Sequence, residues 1–153
     1  MAANEERGEF EIVLDGAPYV MRPSWEAIQA FEPATGRSLL QLAADAERSS
    51  LSLSQCAIIV TECVRAWGKQ EGITSARGFK AENVAPLLVE AGMFVIQPKL
   101  ALMLYMAATG GLDASGKMKA ALKNPKTADG AGSAGSPAPR SGGNRRTSGN
   151  PRP

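Results

Sequence analysis

Residues 8–40, GEFEIVLDGAPYVMRPSWEAIQAFEPATGRSLL, decide the fold. In the first half Phe10, Ile12 and Leu14 alternate with Glu9, Glu11 and Val13, the period of a half-buried strand. Asp15-Gly16 follows, a pair suited to the positive φ angles of a two-residue hairpin loop. With that loop, residues whose numbers sum to 31 face each other. Phe10 then opposes Met21, Ile12 opposes Tyr19 and Leu14 opposes Ala17 on one apolar face, and Glu9 meets Arg22 at the open end. Pro18 falls opposite Val13, at a pair that exchanges no backbone hydrogen bonds, so its missing N–H costs the ladder nothing. Glu9 and Glu11 are read as a solvated charged edge that discourages strand aggregation.

Helical signals fill the next 70 or so residues. Ser24 is the expected N-cap of a helix with an apolar stripe of Trp25, Ile28 and Phe31, closed by Pro33 and Gly36. Ser38 starts a second helix carrying Leu39, Leu42, Ala43 and Ala46. The clearest helix runs from about Ser54 to Gln70, with Cys56, Ile59, Val60, Cys63 and Trp67 on one face and Gly72 as its stop. Residues 73–81 read as a basic loop, and Asn83 as the cap of a helix bearing Val84, Leu87, Leu88 and Ala91. Gly92 interrupts. In the apolar stretch 93–109 Pro98 is expected to kink or restart the helix, leaving Lys99–Ala108 as its firm part. A membrane span over 91–112 fails because Gln97, Pro98 and Lys99 occupy its middle, and about 20 apolar residues are required.

The net charge of +2 hides an asymmetry. Residues 1–112 hold 9 basic and 13 acidic side chains, whereas 113–153 hold 8 basic and 2 acidic ones. The second part is rich in Gly, Ser and Pro and has no large apolar residue after Leu122, so it reads as a disordered basic extension. The expected architecture is α+β: an N-terminal β-hairpin followed by a mainly α-helical small domain over 1–112, with four or five helices, and a disordered tail over 113–153. Lys117–Lys123 has the makings of a helical turn or two.

Catalytic chemistry is poorly provided for. The chain has no histidine, which removes the commonest general base and metal ligand. Cys56 and Cys63 are seven apart on one helical face, neither a redox pair nor a zinc spacing, and read as small core residues. No Gly-rich phosphate cradle occurs. Arg140, Arg145, Arg146 and Arg152 in the tail have no interleaved aromatic residue to stack on bases, which disfavours nucleic acid as a partner. No enzyme, cofactor or metal is expected. The polar, acidic opening MAANEERGEFE is unlike a secretory leader, and two cysteines do not make a disulfide scaffold, so a cytoplasmic location is expected.

The frame formed by Gly8-Glu9, Leu14-Asp15-Gly16, Tyr19, Met21-Arg22, Ala27, Phe31-Glu32, Thr35-Gly36 and Ser38-Leu39-Leu40 resembles the tail assembly chaperones of long-tailed bacteriophages. Its nearest likeness is to the branch found in gene transfer agents and related alphaproteobacterial prophages. Met21 stands where the frame has Leu. The resemblance implies a non-enzymatic chaperone in the cytoplasm of the bacterial host, absent from the finished particle. Its implied partners are apolar helical segments of the tape measure protein, or tail tube subunits, with a homo-oligomer allowed. The adaptable apolar residues Leu100, Met103, Leu104, Tyr105 and Met106 are the candidate partner-binding set. Two other classes compete: a minor structural component of the tail, and a small nucleic-acid-binding regulator using the basic tail.

Overall fold

The computed structural model describes residues 3–4 and 7–119. The basic extension from residue 120 onward, with its arginines and Leu122, lies outside the described residues, as do Glu5 and Glu6. The fold is α+β, opening on a hairpin of β1 (Phe10–Leu14) and β2 (Ala17–Met21). Its register runs from Phe10↔Met21 to Leu14↔Ala17, as the alternation requires. Asp15 at φ 49° and Gly16 at φ 71° make the tight turn whose twist matches the strands.

Helices α1 (Trp25–Thr35), α2 (Leu39–Glu47) and α3 (Leu53–Glu71) follow. Ser24 caps α1 by accepting from the Ala27 N–H, and Ser38 and Ser52 begin α2 and α3 with full capping boxes to Gln41 and Gln55. Pro33 does not end α1. It sits in the last turn, where only the bond to the Gln29 carbonyl is forfeited, and Gly36 closes the helix three residues later. The Trp25 stripe also needs correction. Phe31 is fully buried, but Trp25, the first helical residue, is 52% exposed.

The α3 helix is the spine of the body. Cys56, Ile59, Val60 and Cys63 are fully buried, while Trp67 near its end is only partly covered. Around it pack α1, β2, the short α4 (Thr74–Arg77) and α5 (Ala81–Ala91), and α2 packs on α6 (Met93–Ala108). The segment read as a loop thus contains one helical turn, held close because Gly68 lets Ala76 approach. Asn83 is no cap. Helix α5 begins two residues earlier, after Lys80, with no side-chain cap bond.

Helix α6 starts at Met93 and passes through Pro98 without a break. Packing overrides the proline here, because Ile96, Gln97, Leu100 and Ala101 are buried on either side of it. Gln97 is one of the few buried polar groups; its Oε1 accepts from the Leu51 N–H at 3.0 Å and its Nε2 donates to the Leu51 carbonyl at 3.2 Å. Both backbone polar groups of Leu51 are thereby satisfied, which lets Leu51 enter the core. Among the described residues no single helix is long and apolar enough to cross a membrane, and α5 and α6 meet at 117°.

The body does not stop at residue 112. Residues 111–119 turn back: Leu112 bridges to Met118, and the Ala114 carbonyl accepts from the Trp25 N–H. Asp113 Oδ1 organises this turn by accepting from Ser115 and Lys117, which holds its carboxyl below the usual range. Residues 117–119 take no helical turn. Gly116, at φ 83°, has to be glycine, since a Cβ would lie 2.7 Å from Arg22 Cγ and 3.1 Å from the Ser24 nitrogen.

Glu9 is the main electrostatic surprise. It is 5% exposed rather than solvated, and its Oε1 lies 2.5 Å from Arg22 Nη2. Arg22 is itself 1% exposed, bonds Gln70 through Nη1, and has Glu71 3.5 Å away. The predicted pairing across the hairpin is present, but the end of α3 and the 111–119 turn close over it.

Candidate partner-binding surface

Helix α6 is apolar on every side, so it has more apolar surface than the body can cover. Leu100, Met103 and Leu104 are fully buried and belong to the core rather than to an accessible surface. Tyr105 is 37% exposed, and Met106 is partly covered. Tyr105 Oη donates to Glu47 Oε2 at 2.6 Å, joining α6 to α2, and this bond to a carboxylate raises the phenol pKa.

The outward stripe of α6 consists instead of Phe94, Pro98 and Leu102, spaced by four, with Val95 beside them. Phe94 is 85% exposed and Leu102 60%. Val89 at the end of α5 is also exposed. Sequence reasoning missed Phe94 and Leu102 because a helix apolar all round gives no moment from which to choose its inner face.

The stripe leads into a groove of about 630 Å³ between α6 and β1. Leu102, Met106, Phe10 and Met118 supply its apolar lining, with Lys99, Glu9 and Glu11 as charged groups. Lys99 takes part in no ion pair among the described residues. A second apolar hollow, about 470 Å³, lies between β2, α3 and α4, where the rings of Tyr19 and Phe79 are 5.0 Å apart.

Neither hollow brings together groups fit for covalent chemistry. Burial pushes the Cys56 thiol up to about 12, and burial with nearby Glu62 raises Cys63 further, so both stay protonated and unreactive near neutrality. Among the described residues no cluster of acids and cysteines is arranged to hold a metal ion. What the surface offers is apolar contact, a few charges and a strand beside a groove.

A family model described as phage tail tube protein, GTA-gp10, matches residues 7–93, more than half of the chain. The chain belongs to this family, and it is related to the tails of phages and gene transfer agents. The match runs from three residues before the hairpin to the first residue of α6. No curated protein and no solved structure matches. The resemblance read from residues 8–40 therefore holds at the level of the phage tail, while the family's description names the tail tube rather than a chaperone.

Proposed function

We propose that this chain works in building a phage or gene-transfer-agent tail by binding other tail proteins, without covalent chemistry. The observation that carries this reading is family membership over residues 7–93. The surface is compatible with it, offering the apolar stripe of α6 and the groove beside β1. The family's description favours a structural component of the tail over an assembly factor.

A second reading, a cytoplasmic assembly chaperone for the tape measure protein or tail tube subunits, has a specific observation in its favour. The described body is mainly helical, with a single two-stranded hairpin, and much of α6 is apolar and uncovered. Such a surface suits transient capture of another apolar helix. Quantitative mass spectrometry of purified particles separates the two. A structural component is present in fixed stoichiometry; a chaperone is absent from particles yet raises the soluble yield of a co-expressed tail protein. Normal tails from a strain lacking the gene would defeat both.

A further inference from the structure

The groove between α6 and β1 keeps bare apolar side chains on its α6 wall. Leu102 is 60% exposed there, and Met106 is only partly covered. The β1 side is better closed, because the Ala3–Asn4 segment lies against its Glu9–Glu11 end. The Ala3 N–H donates to Glu11 Oε2 at 3.1 Å and the Asn4 N–H to Glu9 Oε2 at 2.9 Å. At the other end the chain itself runs into the groove. Leu112 bridges to Met118, and the Lys119 N–H donates to the Gly111 carbonyl at 3.1 Å, so residues 117–119 lie antiparallel beside the exit from α6. Met118 lines the groove, and the described body ends one residue later. The sequence continues Ala120-Ala121-Leu122 and only then turns polar, with Lys123, Asn124, Pro125 and Lys126. Leu122 is the last large apolar side chain of the protein.

We propose that Ala120-Ala121-Leu122 runs back along α6 and seats the Leu122 side chain between Leu102 and Met106, so that the protein's own extension covers the groove. The reach is sufficient. Along α6 the groove runs from Lys99 to Met106, seven residues at about 1.5 Å each, or about 10 Å. The four residues from Met118 to Leu122 span up to about 13 Å, so Leu122 never leaves the neighbourhood of Leu102. Apolar contact drives the docking. The groove's charges give no net pull, since Glu9 is taken by Arg22 while Glu11 and Lys99 are of opposite sign. Ordering three residues opposes the gain from burying one leucine against two apolar neighbours. The cover is therefore held loosely and gives way to a partner that brings a larger apolar surface. That use of the cover rests on the tail-building reading; the contact itself does not.

Methyl-resolved NMR of the full chain reads the contact. Nuclear Overhauser effects are expected from the Leu122 methyls to those of Leu102 and Met106, with the Leu122 methyls shifted from random-coil positions. They should persist on dilution, because the contact lies within one chain, and in about 0.5 M salt, because it is apolar. Leu122→Ser should shift the Leu102 and Met106 methyls and leave those of Val64, in the other hollow, where they were. Leu122 methyls at random-coil positions with no such effects overturn the inference and leave the groove to another protein. Effects lost on dilution overturn it in favour of a second copy seated in the groove. Effects lost in salt overturn it in favour of a diffuse attraction between the basic extension and the acidic body. A Leu122→Ser variant whose Leu102 and Met106 methyls keep the parent positions overturns it too. Should that variant fail to fold, the effects in the unaltered chain decide. Failure of the contact leaves the tail-building role standing, because that role is read from particles and partner yield.

Discussion

Changing Glu9 to Gln tests the buried charge pair with little change of shape. Arg22 is held almost completely inside the body, and Glu9 lies 2.5 Å from it with its own side chain 6% exposed. Removing one partner of such a pair strands the other charge and costs about 3–5 kcal/mol. Glu71, 3.5 Å from the same guanidinium and one-third exposed, still attracts it, so the loss should fall near the lower end, about 3 kcal/mol. With a urea m-value of about 2 kcal/mol/M, the unfolding midpoint should drop by about 1.5 M. An exposed pair would contribute at most about 1 kcal/mol, a shift of about 0.5 M or less. Replacing both partners, Glu9→Leu with Arg22→Met, should recover most of the loss, because no charge is then left inside. A Glu9→Gln midpoint within about 0.5 M of the parent would refute the buried pair.

Three further outcomes are expected. Phe31→Ala should cost about 3–5 kcal/mol in urea unfolding, whereas Trp25→Ala, on the same helix but half exposed, should cost about 1 kcal/mol or less. Gly68→Ala, normally a gain of up to about 1 kcal/mol inside a helix, should instead destabilise by about 1–3 kcal/mol in thermal or urea unfolding, because the new Cβ would lie 2.4 Å from that of Ala76. Stability should be level up to about pH 8 and fall as pH rises above about 9. Unfolded thiols lose their protons there, while Cys56, raised to about 12, and Cys63 keep theirs in the folded state, so alkali favours unfolding by up to about 1.4 kcal/mol per pH unit per thiol. Urea titrations of the parent and of Cys56→Ala across that range measure the slope, which should be shallower in the variant.

The hairpin was legible because four local signals agree on one register: alternation, the Asp-Gly turn, Pro18 at a tolerant position and the Glu9–Arg22 match. Helices α1 to α3 were equally legible from Ser24, Ser38 and Gly72, since caps act within a turn of chain. Longer-range effects were not. That Glu9 is buried depends on α3 and on Gly116, more than a hundred residues away. Pro98 read as a break because local propensity knows nothing of the core residues that hold α6 together on both sides of it. The candidate surface was only half legible. The sequence pointed to α6, but the helix's uniform apolarity concealed that Leu100, Met103 and Leu104 face inward and Phe94 and Leu102 outward.

The return of residues 111–119 brings the two ends of the body together: a Cβ on Gly8 would lie 2.2 Å from the Gly116 carbonyl oxygen. Ala3 and Met118 line the same groove, so whatever is attached at either end starts from its rim. A peptide fused after Lys119 through a short linker reaches the groove at about millimolar effective concentration, however dilute the protein is. An affinity tag at either end of this body is thus a tethered competitor for the groove. A tag inserted at the exposed Gly36–Arg37 turn, which lines neither hollow, leaves both clear.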